Sequence, residues 1–354
     1  MPAEPEGAVL VTGATGFLGG LVVRRLLDET RREVVALVRR PLQFEHERLR
    51  VVTADLERRP LPILPRDVST VIHCAASVAF DLPLAEQRAI NVEGTRTLLD
   101  AAALLPKLER VMHVSTAYVA GTHQGTFGPG DLDLGQGFRN TYEQTKLEAE
   151  VLVRESGLPF QVVRPSIIVG DQHTGWTTSF NVVYGPMRAY SRGVMQVVPG
   201  RHDAPVDVVP VDVVATGMLA LLREPVGGTH LIVAGPNATT VGEFVDLTAA
   251  RFGRPPAFVI DPATLLDVVD TLPAAEQRTA RRSLEQADAL LPYFDVACHF
   301  RDPATADVLA AQGATVPHLS DYLGRLIDYA EATRWGKRAP VEPTPSHVAP
   351  EAVA

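Results

Sequence analysis

The sequence predicts an α/β protein, with a doubly wound parallel sheet and a smaller, mainly helical region at the C-terminal side. Through the first half of the chain, short runs of β-branched apolar residues alternate with stretches of helical periodicity. The runs are apolar throughout, which is typical of parallel strands covered on both faces. After Gly170 this alternation stops, and residues 237–335 read as mostly helical.

Each element is predicted from its local pattern. Strands are expected at AVLVTG (8–13), EVVALVR (33–39), RLRVVTADL (48–56), STVIHCAAS (69–77), ERVMHVST (109–116), FQVVRPSIIVG (160–170) and THLIVAG (229–235). Helices are expected over 17–29, near 86–104, and around TYEQTKLEAE (141–150). DVVPVDVVATGMLALL (207–222) predicts an extended piece and then a helix capped by Asp212. HLSDYLGRLIDYA has the apolar spacing of an amphipathic helix that packs on a core.

Composition excludes several classes of protein. The net charge of −9 makes nucleic acid an unexpected partner, and two cysteines among 354 residues argue against a disulfide framework and for a reducing, cytoplasmic location. The first residues lack the features of a signal peptide, and no apolar run is long enough to span a membrane. No metal site is expected. The tail, residues 337–354, is rich in Pro and Ala and is predicted to be disordered.

The turn after the first strand predicts a dinucleotide site. VTGATGFLG places glycines at 13, 16 and 19, between a strand and a helix. In such a turn Gly13 permits the tight bend, Gly16 permits close approach of a pyrophosphate, and Gly19 permits helix–strand packing. The helix N-terminus then faces the phosphates. The sheet is therefore predicted to be of the Rossmann type.

The residues that follow the next strands bear on which dinucleotide binds. NAD-binding versions usually place a carboxylate after the second strand to hold the ribose 2′-hydroxyl. This chain has Arg39 and Arg40 there, which could grip a 2′-phosphate, so NADP(H) is the expected cofactor. A solvated arginine pair is the alternative, because 30 of the 33 basic residues are arginines. Asp55 could bond the adenine amino group, and Ala75 and Ala76 are small enough to lie against the dinucleotide.

The expected chemical groups follow the fifth strand. Ser115 and Thr116 lie at the carboxyl edge of the sheet, and Tyr142 and Lys146 follow at i and i+4 on a predicted helix. An ammonium beside a phenol would lower the pKa of Tyr142, which could then exchange a proton with a substrate oxygen held by Thr116. The glutamates of the same stretch, Glu143, Glu148 and Glu150, are expected mostly to face solvent.

The motif set resembles the extended short-chain dehydrogenase/reductase family. The resemblance rests on TGATGFLG, Asp55, Ala75-Ala76, NVEGT (91–95), VSTAYVAG, Tyr142-xxx-Lys146 and RPSIIVG (164–170), and it covers about the first 235 residues. It implies a catalytic set of Thr116, Tyr142 and Lys146. The cofactor-binding residues that it and the patterns above imply are Gly13, Thr15, Gly16, Phe17, Leu18, Gly19, Arg39, Arg40, Asp55, Leu56, Ala75, Ala76, Ser115, Lys146, Pro165, Ser166 and Ile168. Asn91 would have a supporting role at most.

Within that superfamily, HVSTAYVAG and HTGWTTSFNVVYGPMRAYSRG (173–193) look most like the fatty acyl-CoA reductase and carrier-protein thioester reductase branch. The resemblance implies reduction of an acyl thioester by NADPH to an aldehyde or alcohol. Arg188, Arg192 and Arg201 could meet phosphates of CoA or a phosphopantetheine arm, although solvated charges are an equal alternative. Trp176 is expected in a substrate pocket or in ordinary core.

Two alternatives stay open. One is an NADP(H)-dependent ketone reductase or hydroxyl dehydrogenase acting on a steroid-like or β-keto substrate. The other is a non-catalytic dinucleotide sensor, which the Tyr142/Lys146 pair disfavours; Arg39 likewise disfavours a nucleotide-sugar epimerase. Many superfamily members are dimers, so a homo-oligomer is compatible with the resemblance.

The expected domains follow from these assignments. Residues 1–170, with 206–236 returning to them, are predicted to form the NADP-binding Rossmann core. Residues 171–205 and 237–336 are predicted to form the substrate-binding region. The glycine-rich stretch 121–140, between Thr116 and Tyr142, is expected to be a mobile loop that borders the substrate.

Overall fold

The computed structural model describes residues 6–180, 182–274, 277–278, 281 and 291–338. Their strands are β1 (Ala8–Thr12), β2 (Val34–Val38), β3 (Leu49–Thr53), β4 (Val68–His73), β5 (Arg110–Val114), β6 (Gly125–Phe127), β7 (Phe160–Pro165), β8 (Ile167–Val169), β9 (Val197–Pro199), β10 (Pro205–Val206), β11 (Val208–Pro210), β12 (Thr229–Ile232), β13 (Thr239–Thr240), β14 (Phe258–Ile260) and β15 (Cys298–Phe300).

The α-helices of the described residues come in the same chain order. They are α1 (Phe17–Glu29), α2 (Leu84–Arg88), α3 (Gly94–Ala102), α4 (Thr141–Glu155), α5 (Tyr184–Ser191), α6 (Val211–Leu221), α7 (Val241–Phe252), α8 (Pro262–Thr271), α9 (Pro303–Ala310) and α10 (Leu323–Ala332). A π-helical turn, Ala89–Glu93, joins α2 to α3. Short 3-10 helices span Ala117–Ala120, Gly235–Asn237, Leu291–Phe294 and Leu319–Asp321.

Seven strands form one parallel sheet, which confirms the predicted fold class. The order is β3-β2-β1-β4-β5-β7-β12, and each neighbouring pair is parallel. The strand order reverses beside β1, so a crevice opens between the carboxyl ends of β1 and β4, where such sheets place ligands.

Helices cover both faces of this sheet. One face is buried by α1, α6 and α9 through residues such as Val22, Met218 and Leu309. The other face is buried by α3 and α4, with Leu98 and Val153 in the core. Because both faces are covered, the strands are apolar along their whole length, which is the pattern that predicted them.

The remaining elements gather around a separate apolar cluster at the carboxyl edge of the sheet. The two-stranded pairings β8–β11, β9–β14, β10–β13 and β6–β15 frame it. The 3-10 helix Leu319–Asp321 and α10 contribute apolar side chains that are fully buried, so the prediction of a core-packing helix there is confirmed. The glycine-rich stretch 121–140 is not wholly irregular, since β6 lies within it and pairs with β15 near the other end of the chain.

Two predicted elements are wrong in detail. FQVVRPSIIVG is not one strand: β12 ends opposite Pro165, so the chain beyond Ser166 has no partner in the main sheet, and β8 pairs with β11 instead. Asp212 does not cap its helix. The helix begins at Val211, and the Asp212 carboxylate accepts hydrogen bonds from the backbone N–H (3.0 Å) and side-chain amide (2.7 Å) of Gln172.

Two expectations concern the chain ends and membranes. The predicted disordered tail falls almost entirely on residues 339–354, which lie outside the described residues. Within the described parts of the chain, every helix is too short or too polar to cross a bilayer.

Candidate active site

The glycine turn between β1 and α1 forms a cradle beside β4. Gly13 has φ +71°, and a Cβ on it would lie 2.8 Å from the backbone nitrogen of Ala75, so only glycine fits this close approach. A Cβ added to Gly19 would collide with the carbonyl oxygen of Gly13. Helix α1 begins after Gly16 with no side-chain cap and no acidic residue in its first turn. An uncapped, uncharged N-terminus of this kind suits a phosphate group, so these residues fit a dinucleotide.

The loop after β4 is held against this cradle by buried polar side chains. Thr12 accepts a hydrogen bond from Ala75 N (3.2 Å), and Asn91 bonds both the N–H (2.8 Å) and the carbonyl (3.1 Å) of Ser77. Asn91 also donates to the Thr145 hydroxyl on α4 (3.1 Å). Asn91 lies on the π-helical turn and is buried. It therefore links the loop to α4, which is a larger role than the sequence indicated.

Arg39 and Arg40 are both exposed at the carboxyl end of β2. Arg39 pairs with Glu57 at 3.3 Å, with 69% of its side chain exposed. Asp55 and Leu56 follow β3 and are half-buried; the Asp55 carboxylate accepts from the N–H of Glu57. These residues therefore lie at the carboxyl edge of the sheet, on the side of β1 away from β4.

Thr116 and Tyr142 come together beyond the end of β5. Thr116 Oγ1 accepts from Tyr118 N (3.2 Å) as the cap of a 3-10 helix, and its own O–H makes only a long hydrogen bond to the Pro165 carbonyl (3.5 Å) that a closer acceptor could replace. Burial raises the pKa of Tyr142 to about 12, and the interaction with the Thr116 hydroxyl acts in the opposite direction. The expected lowering of this pKa is therefore wrong for this structure.

Lys146 does not lower the pKa of Tyr142 because its ammonium is directed to β5. Its Nζ donates to the carbonyl of Val114 (2.8 Å) and lies 3.4 Å from Nε2 of His113. Burial lowers the pKa of Lys146 to about 8, and the charge of Glu150 acts against this change. Tyr142 is therefore protonated at neutral pH, whereas Lys146 loses its proton at a pH only slightly above neutral.

Ser115 is buried and lies near Glu150 of α4, where its hydroxyl helps to lower the pKa of that carboxylate. Among the residues expected near the nicotinamide, Pro165 is at the end of β7, Ser166 is buried, and Ile168 is half-buried on β8. Thr15 and Gly16 are exposed in the glycine turn, where Phe17 and Leu18 are half-buried.

Two of the three glutamates of TYEQTKLEAE are buried, which corrects the expectation that they face solvent. Glu150 and Glu143 are both 0% exposed, whereas Glu148 is partly exposed and pairs with Arg88 at 2.7 Å. Glu150 binds Arg164 through two hydrogen bonds (2.8 and 3.0 Å), and Glu143 pairs with Arg139 at 3.3 Å. The carboxylates are buried because each has a guanidinium partner in place of water.

An aromatic wall, formed by Phe80, Tyr118 and Tyr293, stands beside Tyr142 and was not expected from the sequence. The Phe80 ring lies 5.6 Å from that of Tyr142 and stacks at 5.4 Å on Tyr293, whose ring Tyr118 meets edge-on at 5.0 Å. Asn140, the N-cap of α4, bonds the Tyr293 hydroxyl (2.9 Å) and Glu143 N (3.0 Å). The N-cap preference of Asn was the available signal for the start of this helix.

A cleft of about 480 Å³ opens beside the 3-10 helix Leu291–Phe294, where Pro292 lines it. Its lining includes Arg139 and the apolar residues Pro199, Pro262, Leu265 and Leu266. Trp176, 9% exposed, is not among the lining residues; its ring lies 5.4 Å from that of Phe17 and so packs on the glycine turn. Arg188 is half-buried, whereas Arg192 and Arg201 are exposed, and Arg201 pairs with Asp295 at 3.1 Å.

Comparisons with known proteins find relatives in sequence and in fold. Fatty acyl-CoA reductase 2 of Mus musculus is 29% identical in an alignment of length 297 that covers 66% of this chain and 56% of that protein, so the chain spans about half the length of this relative. The terminal R domain of the myxalamid PKS-NRPS pathway superimposes with a TM-score of 0.78 at 22% identity, covering 95% of this chain and 94% of that one.

A thiolation-reductase di-domain from an archaeal non-ribosomal peptide synthetase has a TM-score of 0.72 at 18% identity, covering 94% of this chain and 76% of that one. At these identities the two structures establish the fold alone. The NAD-binding family described as Male sterility protein matches residues 11–58 and 40–218, which hold the glycine turn, Thr116, Tyr142 and Lys146. The chain belongs to this family of extended short-chain dehydrogenase/reductase domains.

Proposed function

We propose that this chain is an NADPH-dependent reductase that transfers hydride to an acyl thioester, bound to CoA or to a carrier protein, and gives an aldehyde or an alcohol. The observation that carries the proposal is the meeting of Thr116 and a protonated Tyr142 at the edge of the sheet, next to the glycine cradle. The names of the fatty acyl-CoA reductase relatives support the thioester as substrate.

The residues suit reduction. A bound reduced nicotinamide would supply the hydride to the thioester carbonyl carbon. As charge builds on the carbonyl oxygen, the hydroxyls of Thr116 and Tyr142 donate hydrogen bonds to it. Because the pKa of Tyr142 is about 12, its phenol is protonated at neutral pH and can give its proton to this oxygen. The resulting hemithioacetal releases the thiol and leaves the aldehyde.

Lys146 would hold the nicotinamide ribose and replace the proton that Tyr142 has lost. Its Nζ is anchored at the Val114 carbonyl, on the strand that leads directly to Thr116. An ammonium held against this strand would bind hydroxyl oxygens of the ribose, and because the pKa of Lys146 is lower than that of Tyr142 it could return a proton to the phenolate through them. Without this charge we expect weaker dinucleotide binding and slower turnover.

The preference for NADPH over NADH is proposed from Arg39 and Arg40. Both are exposed after β2, and the ion pair between Arg39 and Glu57 is a surface contact that costs little to exchange for a phosphate. We expect Arg40→Ala to weaken NADPH binding at least about tenfold and to leave NADH binding nearly unchanged. Equal loss for both dinucleotides would contradict the assignment.

The acyl group is proposed to lie along the aromatic wall and in the apolar cleft that Pro292 and Arg139 line. The substrate-binding region would then comprise residues 171–205 and 237–336, as the sequence predicts, together with Phe80, Tyr118 and part of the glycine-rich stretch, and the dinucleotide would lie on the sheet. The apolar lining of the cleft suits a hydrocarbon chain, and Arg139 at its margin is already paired with Glu143. A carrier arm would then enter past the glycine-rich stretch that holds β6.

The test is NADPH consumption with acyl-CoAs, acyl-carrier thioesters and ketones, with the products identified by mass. We expect turnover of thioesters. Tyr142→Phe should abolish this turnover while the variant still binds NADPH. Tyr322→Phe is the matched control, because its hydroxyl has no hydrogen-bond partner among the described residues and lies in the core. Turnover of ketones alone would show the alternative function, and equal losses in both variants would remove Tyr142 from the mechanism.

A further inference from the structure

The ammonium of Lys146 is held by two groups of the same strand. Lys146 is 3% exposed, and its Nζ donates to the Val114 carbonyl at 2.8 Å and lies 3.4 Å from His113 Nε2. An ammonium has three N–H donors. Two of them are directed to β5, which leaves the third for another acceptor.

His113 is an unusual residue for the middle of a sheet. It is 0% exposed, and its Nδ1 has no hydrogen-bond partner among the described residues. An unpaired buried ring nitrogen costs free energy, so packing alone does not favour a histidine here. Burial, together with the charge of Lys146 and the neighbouring His73, lowers the pKa of His113 well below its usual range. The ring is therefore neutral, and one of its nitrogens can accept a hydrogen bond.

His73 offers a close comparison on the neighbouring strand. It stands directly opposite His113 in the parallel register, with ring centroids 5.3 Å apart. Its Nδ1 contacts the hydroxyl of Thr12 (2.7 Å) and its Nε2 that of Thr95 (2.9 Å). Both of its nitrogens are thus occupied by threonines, whereas Nε2 of His113 is the ring nitrogen that meets Lys146.

We propose that His113 is a positioning residue for Lys146: its Nε2 accepts one N–H of the ammonium and, with the Val114 carbonyl, turns the remaining N–H towards the dinucleotide. The proposal rests on the proposed function only in that Lys146 holds a nicotinamide dinucleotide. It does not depend on the substrate being a thioester.

The neighbours of Lys146 determine the expected direction of a pH effect. Glu150 and Tyr142 lie on the same helix, His113 and His73 on β5 and β4, and Cys74 directly after β4. The acceptor at His113 favours the ammonium over the neutral amine. Removing it lowers the pKa of Lys146, so binding that needs the ammonium is lost at a lower pH.

The experiment measures equilibrium binding of NADPH by its fluorescence, from about pH 6 to pH 10, together with kcat/KM for NADPH. In His113→Gln the amide can reach the position of Nε2, whereas in His113→Asn it reaches only that of Nδ1. In His113→Asn we expect the alkaline loss of NADPH affinity to occur at a pH lower by about half a unit or more, and kcat/KM to be reduced about tenfold at pH 8. In His113→Gln we expect both quantities to stay near their wild-type values.

His73→Asn is the matched control, because it shortens a buried histidine on the neighbouring strand that does not contact Lys146 through a hydrogen bond. Melting temperatures test whether each variant is folded. An alkaline limb that is the same in His113→Asn and wild type overturns the proposal, and so does an equal shift in His73→Asn. If wild type binds NADPH but turns over no thioester, the proposed substrate fails, while a shift confined to His113→Asn still supports the role of His113.

Discussion

Removing one partner of the ion pair between Glu150 and Arg164 should strongly destabilise the sheet beneath the site. Both side chains are 0% exposed; Arg164 donates twice to Glu150 (2.8 and 3.0 Å) and once to the Gly128 carbonyl (3.3 Å). Its guanidinium also lies 5.3 Å from the centre of the Phe127 ring. Arg164→Met leaves the Glu150 charge buried with Arg154 as its remaining guanidinium partner, so we expect a loss of about 3–5 kcal/mol in the free energy of unfolding.

Urea denaturation at neutral pH, followed by circular dichroism, measures this loss. Arg88→Met is the matched control, because Arg88 also forms two hydrogen bonds to a glutamate of α4, but on the surface, and should cost far less. The double variant Glu150→Leu with Arg164→Met should recover most of the loss, since an apolar pair of similar volume removes the uncompensated charge.

The pH dependence adds a second check. Burial acts to raise the pKa of Glu150, but the hydrogen bonds and charge of Arg164 hold it below its usual value. The pair therefore stabilises the fold at neutral pH and ceases to do so as the pH falls through the folded-state pKa. A loss below about 1 kcal/mol in Arg164→Met, or a double variant as unstable as the single one, would refute the reasoning.

Three further predictions can be tested in the same way. Gly13→Ala should abolish dinucleotide binding, whereas Gly157→Ala, with the same φ of +71° but open space around it, should lose only about 1–3 kcal/mol of stability to backbone strain; calorimetric binding and urea denaturation separate the two. Burial raises the pKa of Asp207 to about 6, so the folded state holds its proton more tightly than the unfolded state does. The free energy of unfolding should therefore decrease by about 3 kcal/mol as the pH rises from about 4 to about 6, and Asp207→Asn should flatten this slope in urea titrations. Asn91→Ala should lower both the melting temperature and NADPH affinity, since its amide joins the β4 loop to α4; a change in stability alone would limit it to a structural role.

The sheet and the glycine turn were predictable because their signals are local. Helix α1 runs from Phe17 to Glu29, as its sequence pattern indicated, since the glycines fix its start and its apolar face has helical spacing. The apolar spacing of HLSDYLGRLIDYA likewise predicts a core-packing helix, and the structure has one there. In both cases a few neighbouring residues determine the structure.

The burial of Glu143 and Glu150 was not predicted from the sequence. The partner of Glu150 is on another element, and Glu143 and its partner have the composition of ordinary surface residues. Glu150 is buried by Arg164, which lies on β7, across a helix–sheet contact. Glu143 and Arg139 are four residues apart, so their spacing was an available signal. The prediction of a lowered pKa for Tyr142 was wrong because this pKa depends on the exclusion of water around the hydroxyl, and spacing along one helix does not reveal that exclusion.

The pairing of β6 with β15 has a consequence for how the protein is made. The seven-stranded sheet has all its strands once the chain reaches Ile232, but β6, which lies between Thr116 and Tyr142, meets its partner only at Cys298. During synthesis the sheet can therefore form before the border of the active site does. A nascent chain would acquire its dinucleotide cradle early and complete its catalytic pocket late, so the order of translation separates cofactor binding from catalysis.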